Sequence, residues 1–116
     1  MVKHTNQMRE ERVENLKGGE GHVTFLHFYE PEDFHGIGRL YGITLIEPGN
    51  SIGVHEHLGE QESYYIIRGK ALYNDNGKEM EIGPGTLTLC KSGEVHAIKN
   101  IGDETLEYAM LITNTQ

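Results

Sequence analysis

Apolar and polar residues alternate along short segments of this chain, and the alternation predicts a protein built from β-strands. Short runs rich in β-branched and aromatic residues are separated by clusters that contain glycine, proline, asparagine or aspartate, which favour turns. Asp75-Asn76-Gly77 predicts a type I′ hairpin turn, because asparagine and glycine tolerate positive φ angles. The expected strands lie at residues 22–29, 38–47, 51–57, 62–68, 70–75, 78–82, 86–90, 94–99 and 104–112.

The N-terminal segment differs from the rest of the chain. Its apolar positions, from Met1 to Lys17, are too sparse to define a helical face, so we expect a loosely packed polar arm. Gly18-Gly19-Glu20-Gly21 then provides a flexible hinge. The domain organisation expected is therefore an N-terminal arm and hinge over residues 1–21, followed by one β-domain over residues 22–116.

The alternation also assigns an inward face to each strand. If Glu62 points inward, so do Tyr64 and Ile66, and if His96 does, so does Ile98. Cys90 is expected to face outward or toward a strand end, because Leu87 and Leu89 take the inward positions. The remaining core positions expected are Tyr41, Ile43 and Leu45 on one strand, and Leu106, Tyr108, Met110 and Ile112 on another.

Composition narrows the class of function. The net charge of −8 argues against nucleic acid and anionic membranes as partners, because both select basic surfaces. The chain has no apolar run long enough to span a membrane and no apolar core of a secretion signal near its start. Its single cysteine cannot form an internal disulfide, which agrees with a reducing compartment. We therefore expect a soluble, cytoplasmic protein.

Three histidines and one glutamate offer donors to a single divalent metal ion. His55 and His57 lie two positions apart in a predicted strand, so both imidazoles point to the same face. Glu62 begins the next predicted strand, which we expect to run back antiparallel beside the first after the loop at residues 58–61. His96 lies farther along the chain and supplies the third imidazole.

The spacing of these residues resembles that of the cupin family. The first cupin motif, G(X)5HXH(X)3,4E(X)6G, fits Gly49, His55, His57, Glu62 and Gly69. The second motif, G(X)5PXG(X)2H(X)3N, fits Gly85, Gly93, His96 and Asn100, with Lys91 in place of the usual proline. The resemblance implies a small antiparallel β-barrel of jelly-roll type, also called a double-stranded β-helix. It also implies a metal bound in the mouth of that barrel by His55, His57, Glu62 and His96.

This donor set leaves the identity of the metal open. Three nitrogens and one oxygen suit manganese, iron, cobalt, nickel, copper or zinc. An octahedral centre with four protein ligands would keep positions for a small oxygen-rich ligand, such as a carboxylate, a keto or hydroxy acid, or a sugar. Tyr41 and Tyr64 are the candidate catalytic proton donors, although either could instead belong to the packed core.

The resemblance to cupins does not name a reaction, because the fold hosts many functions. One hypothesis is a metal-dependent enzyme of dioxygenase, decarboxylase, isomerase or lyase type. The alternative is a non-catalytic metabolite-binding or sensor module that uses the same metal-bearing barrel. Elemental analysis of the native protein, followed by ligand screening, would distinguish these hypotheses.

The first predicted strand indicates a homodimer. Residues 23–29 carry large apolar side chains on both faces, whereas a solvent-facing edge strand should have one polar face. Small cupins frequently form dimers, so the resemblance implies the same association. We expect this segment to pack on the sheet of a partner copy or to extend it.

Overall fold

A computed structural model describes residues 1–115 of the chain. Three short 3-10 turns, at Thr5–Gln7, Leu16–Gly18 and Pro31–Phe34, lie between strands or before them. No helix in this part of the chain is long and apolar enough to cross a membrane. The ten strands are β1 (Arg9–Glu14), β2 (His22–His27), β3 (Gly38–Ile46), β4 (Ser51–Glu56), β5 (Glu60–Arg68), β6 (Ala71–Asp75), β7 (Lys78–Ile82), β8 (Leu87–Cys90), β9 (Val95–Asn100) and β10 (Leu106–Asn114).

The strands form two antiparallel sheets that enclose the core. The six-stranded sheet has the order β1-β2-β3-β10-β5-β8, and the four-stranded sheet has the order β4-β9-β6-β7. This arrangement confirms the predicted all-β fold of jelly-roll type. The fully buried apolar side chains come from both sheets and include Val23, Ile46, Ile66, Ala71, Leu106 and Tyr108.

The predicted hairpin lies between β6 and β7. Asp75 pairs with Lys78, and the two residues between them have positive φ angles, 53° at Asn76 and 95° at Gly77. These angles are those of the expected type I′ turn, which the right-handed twist of paired strands favours. The prediction from the Asp-Asn-Gly sequence is confirmed.

The N-terminal segment is more ordered than the sequence predicted. Residues Arg9–Glu14 form β1, which pairs antiparallel with β2 along its full length. The prediction of a loosely packed arm over the first seventeen residues is wrong in this respect. Because β2 pairs with β1 on one side and with β3 on the other, it is not the solvent-facing edge strand that the sequence predicted. The division of the chain into an arm over residues 1–21 and a β-domain from residue 22 stays a prediction. The predicted end of that domain, residue 116, lies outside the described residues.

The inward faces of two strands differ from the expectation. On β3 the buried residues are Gly42, Thr44 and Ile46, so Tyr41, Ile43 and Leu45 point to the outer side of the sheet. On β8 the buried residues are Thr88 and Cys90, while Leu87 and Leu89 are exposed. On β10 the prediction is confirmed, with all four expected core residues buried. The errors share one cause, which is that the outer side of the six-stranded sheet is itself apolar.

β4 and β5 do not pair with each other, contrary to the expectation. β4 pairs with β9, whereas β5 pairs with β10 and β8 in the other sheet. The short loop after β4 therefore carries the chain from one sheet to the other. As a result, the residues of β4 and β5 face each other across the interior instead of lying side by side. This crossing determines the geometry of the site.

Candidate metal centre

The four predicted metal ligands converge inside the open end of the two sheets. One nitrogen from each of His55, His57 and His96 and one oxygen of Glu62 lie within 4.8 Å of one another. Glu62 Oε1 lies 3.1 Å from Nε2 of His57 and 3.1 Å from Nε2 of His96. His57, Glu62 and His96 are buried, and His55 is partly buried. The structure therefore places all four donors around one point.

Sheet pairing explains this convergence. His55 on β4 and His96 on β9 are direct cross-strand partners, so their side chains leave the same face of the four-stranded sheet. His57 follows the end of β4 and returns to that face. Glu62 reaches the same point from β5 of the opposite sheet. The three imidazoles and the carboxylate thus come from opposite walls of the interior.

Each histidine ring is oriented by a hydrogen bond at Nδ1, the ring nitrogen that points away from the cluster. Because Nδ1 of every ring has a partner outside the cluster, the three Nε2 atoms are left to point at one another. His57 Nε2 and His55 Nε2 each lie 3.1 Å from His96 Nε2. The Nδ1 partners are the Gly53 carbonyl oxygen for His55 (2.8 Å), Glu60 Oε2 for His57 (2.7 Å) and Tyr73 Oη for His96 (2.8 Å).

Burial and hydrogen bonding shift the pKa values of the cluster. Burial raises the pKa of Glu62, but hydrogen bonds and charges from the three histidines outweigh it and leave this pKa well below its ordinary value. Hydrogen bonding to Glu62 raises the pKa of His57. Desolvation by burial lowers the pKa of His96 and favours its neutral ring. The site therefore holds an ionised carboxylate beside at least one imidazole that favours the neutral state.

The donors present fit a divalent transition metal ion. A buried carboxylate is costly unless a cation or several hydrogen bonds compensate it. Neutral imidazoles whose Nδ1 atoms donate hydrogen bonds outward present their Nε2 lone pairs inward, which is the arrangement found around bound metals. Close approach of three such lone pairs to a carboxylate oxygen is unfavourable without a cation between them. The cluster is thus a set of donors that an ion would satisfy.

Comparison with known proteins identifies the family. A family model described as the cupin domain matches residues 42–112. This chain is a cupin. A protein of Thermotoga maritima named oxalate-binding protein is 38% identical over 112 residues, which are 97% of this chain and 93% of that relative.

Solved structures show the same fold. The crystal structure of a protein described as a predicted oxalate decarboxylase from Thermotoga maritima has a TM-score of 0.94 and 37% identity, and the match covers 99% of this chain and all of that one. A polyketide cyclase from Streptomyces resistomycificus has a TM-score of 0.78 at 18% identity, covering 100% of this chain and 81% of that one. The second likeness shows the fold alone.

A cavity of about 110 Å³ opens beside His55, His57 and Glu62 of this cupin. Its rim carries Arg39, which donates hydrogen bonds to both carboxylate oxygens of Glu60 at 2.8 Å. Lys17 also lines the rim, and no salt bridge to it occurs within residues 1–115. The opening therefore presents one paired and one unpaired cation above the donors.

A tight contact holds the rim turn in place. The turn Leu16–Gly18 packs against β4, and a Cβ atom at Gly53 would collide with the carbonyl oxygen of Lys17. Glycine at position 53 is therefore required for this close approach. The carbonyl oxygen of Gly53 also accepts the hydrogen bond from Nδ1 of His55. Gly53 thus allows the turn Leu16–Gly18 to pack closely on β4 and also orients the ring of His55.

The two tyrosines predicted as proton donors lie in different places. Tyr64 is buried, lines the cavity and stacks on His96, with ring centroids 5.0 Å apart and an interplanar angle of 22°. Tyr41 lies on the outer side of β3, where its ring contacts Phe28 and Tyr29 edge to face. The structure therefore brings Tyr64 to the site and does not bring Tyr41, because the parity of β3 is the reverse of that expected. A catalytic role for Tyr64 stays a prediction.

Sequence reasoning missed three residues of the site. Glu60 and Tyr73 hold the outer nitrogens of His57 and His96, and Tyr108 lines the cavity. Glu60 follows His57 by three positions in the predicted loop, which is a weak signal. Tyr73 has no signal in the sequence, since its contact depends on which strands pair.

Proposed function

We propose that this cupin binds one divalent transition metal ion through His55, His57, Glu62 and His96, and that the metal binds a small carboxylate of the oxalate type. The observation that carries the proposal is the orientation of the three imidazoles, whose Nδ1 atoms are all occupied and whose Nε2 atoms meet Glu62. When bound, the ion would supply a Lewis acid with coordination positions left for ligand oxygens.

The cavity supports a small anion as the ligand. Its volume of about 110 Å³ has room for several water molecules, and therefore for a small carboxylate beside the donors. Lys17 at the rim adds a positive charge without an ion-pair partner among the described residues. The name of the oxalate-binding relative agrees with such a ligand.

Two side chains of the site, Tyr64 and Glu60, are poorly suited to proton transfer near neutral pH. A decarboxylase or another enzyme needs a group that exchanges protons near neutral pH. Burial raises the pKa of Tyr64 well above its ordinary value, so its phenol keeps its proton. Hydrogen bonds from Arg39 and then His57 lower the pKa of Glu60 to about 2, so Glu60 stays ionised. The oxalate-binding relative supports the same choice, so the non-catalytic binding module is our leading function and the decarboxylase suggested by the Thermotoga maritima structure is the alternative.

One experiment separates these functions. Purified protein is analysed for metal content, loaded with the metal that is found, and titrated with oxalate by calorimetry. We expect one metal per chain and saturable oxalate binding that disappears after chelation. The oxalate-loaded sample is then followed by carbon NMR. Unchanged oxalate supports the binding module, formation of formate establishes the decarboxylase, and absence of both metal and oxalate binding would refute the proposal.

We also propose that the chain forms a homodimer through the outer side of the six-stranded sheet. The register places Tyr65 beside Leu87 and Ala109, and Leu111 beside Tyr41, so apolar side chains form a continuous band. Large apolar patches of this kind on soluble proteins mark interaction sites. We call this band the outer apolar face, and its members are Tyr41, Ile43, Leu45, Tyr65, Ile67, Leu87, Leu89, Ala109 and Leu111.

The dimer is now supported by the outer apolar face and not by the apolar pattern of residues 23–29. β1 pairs with β2 and is itself the edge strand, so residues 23–29 are not the exposed edge from which a dimer was expected. The chain carries a net charge of −8, which opposes self-association, and Glu107 lies at the margin of the outer apolar face as the cross-strand partner of Leu45. Glu107 forms a salt bridge with Arg68, so a second copy can cover the apolar residues with this pair at the polar rim.

A further inference from the structure

Tyr108 carries a buried hydroxyl group that makes no hydrogen bond of good geometry with the described residues, although Thr44 and Tyr64 lie beside it. The residue is 0% exposed, and its Oη has no hydrogen-bond partner within residues 1–115. Its side chain points inward from β10 and lines the same cavity as His55, His57 and Glu62. Buried polar groups are almost always hydrogen-bonded in native proteins, so an unpartnered hydroxyl indicates a missing partner.

The surroundings of Tyr108 fix its ring. Tyr64 packs against it with ring centroids 4.2 Å apart, and Tyr64 in turn stacks on His96. These contacts connect the phenol to the metal centre through one layer of aromatic rings. Tyr73, which also lies close to the centre, has its hydroxyl occupied by His96. Tyr108 is therefore a tyrosine of the cavity that packing holds in place and whose fully buried hydroxyl lacks a partner among residues 1–115.

We propose that Tyr108 donates a hydrogen bond to the bound ligand and selects ligands that carry a second oxygen acceptor away from the metal. This inference rests on the proposed function and adds a specificity-determining residue to it. A dicarboxylate such as oxalate would present one set of oxygens to the metal and another to Tyr108. A monocarboxylate such as acetate uses its oxygens at the metal and has none left for the phenol.

The protonation state of the phenol supports a donor role. Burial and then the charge of Glu62 raise the pKa of Tyr108 far above its ordinary value. The hydroxyl therefore keeps its proton and can donate it to an anion. A hydrogen bond to a charged acceptor in a closed cavity is stronger than one between neutral groups.

The test compares single hydroxyl deletions in the metal-loaded protein. We expect Tyr108→Phe to keep wild-type metal affinity, to bind oxalate about ten- to a hundredfold more weakly and to bind acetate unchanged. Tyr41→Phe is the matched control, because it removes a hydroxyl on the outer side of β3, and its affinities should equal those of the wild type. Isothermal titration calorimetry measures the affinities for the metal ion, for oxalate and for acetate.

Each outcome decides the inference. If the wild type binds oxalate and Tyr108→Phe binds it equally well, the inference is wrong and the phenol is satisfied by trapped water, while the proposed function stands. If the metal-loaded wild type binds neither oxalate nor acetate, the inference and the proposed function both fail.

A second measurement needs no variant. The chain has six tyrosines and no tryptophan, so tyrosine dominates its near-ultraviolet absorption. Oxalate added to the metal-loaded wild type should shift tyrosine absorption to longer wavelength, because the phenol gains an acceptor. Absence of a shift at saturating oxalate would overturn the inference, even if Tyr108→Phe fails to fold.

Discussion

The phenolic oxygen of Tyr73 lies 2.8 Å from Nδ1 of His96, and both groups are buried. Tyr73 and His96 are diagonal neighbours on the paired strands β6 and β9, which places their side chains on the same face. This contact fixes the ring orientation of His96 and, when Nδ1 carries the proton, leaves Nε2 free to bind a metal. Tyr73 thus acts on the proposed metal through a ligand instead of touching it.

Tyr73→Phe should weaken metal binding while the fold persists. The variant keeps the ring and removes the partner of Nδ1, and loss of such supporting contacts typically costs about 10- to 100-fold in metal affinity. Competition with a fluorescent chelator measures the change. Wild-type affinity in this variant would show that packing alone orients His96.

His57→Ala should abolish stoichiometric metal binding. The change removes one of four donors, whose Nε2 atom lies 3.1 Å from Oε1 of Glu62. Elemental analysis after dialysis checks the result, and His35→Ala serves as the control because His35 lies in an exposed turn. One tightly held ion per chain in His57→Ala would contradict the assigned ligand set.

Removing the metal should lower thermal stability. A ligand at about a hundred times its dissociation constant stabilises the folded state by about 2.7 kcal/mol, which corresponds to on the order of 10 °C for a domain of this size. Scanning calorimetry before and after chelation measures the shift, and readdition of the ion should restore it. Identical melting curves with and without bound metal would count against a site that spans both sheets.

The Arg39–Glu60 pair should make the metal-free protein sensitive to acid. The pKa of Glu60 is lowered from 4.5 to about 2, so its stabilising contribution is complete above about pH 4.5 and is lost as the pH falls toward 2. Urea unfolding of metal-free protein between about pH 5 and pH 3 measures this loss. Glu60→Gln should be less stable than the wild type at pH 5, and the difference should narrow as the pH falls. A difference that stays constant across this range would refute the assignment.

Tyr65→Glu should dissociate the proposed homodimer. The substitution places a charge in the middle of the outer apolar face, where Tyr65 is 49% exposed in the single chain. Sedimentation should give twice the 13.1 kDa of one chain for the wild type and 13.1 kDa for the variant. Val54→Glu, on the other sheet, is the matched control and should stay dimeric. A wild type that sediments as a monomer at micromolar concentration would remove the proposal.

Much of the fold could be predicted from alternation and turn residues. The strand at Arg9–Glu14 could not, because an edge strand in which five of six residues are exposed carries no apolar alternation. It is held instead by pairing with β2 and by contacts such as that of Glu11 with His27, at 2.8 Å. The reversed faces of β3 and β8 have another cause, since apolarity alone cannot distinguish an interior from an exposed apolar surface.

The four metal-ligand candidates could be predicted because their spacing forms two recognisable motifs. Their supporting residues could not, because Tyr73 and Tyr108 meet the site only after the strands pair across the chain. The expected pairing of β4 with β5 was wrong for a similar reason. A short loop permits either a hairpin or a crossing between sheets, and the choice depends on the packing of both layers.

The origin of the donors in both sheets has a consequence for how the chain matures. Glu62 belongs to one layer and the three histidines to the other, so the complete set of four donors exists only when both layers are in place. Uptake of an ion by the proposed site would therefore follow the meeting of the two halves, late in folding. A chain that carries an ion on all four donors has brought its two layers together.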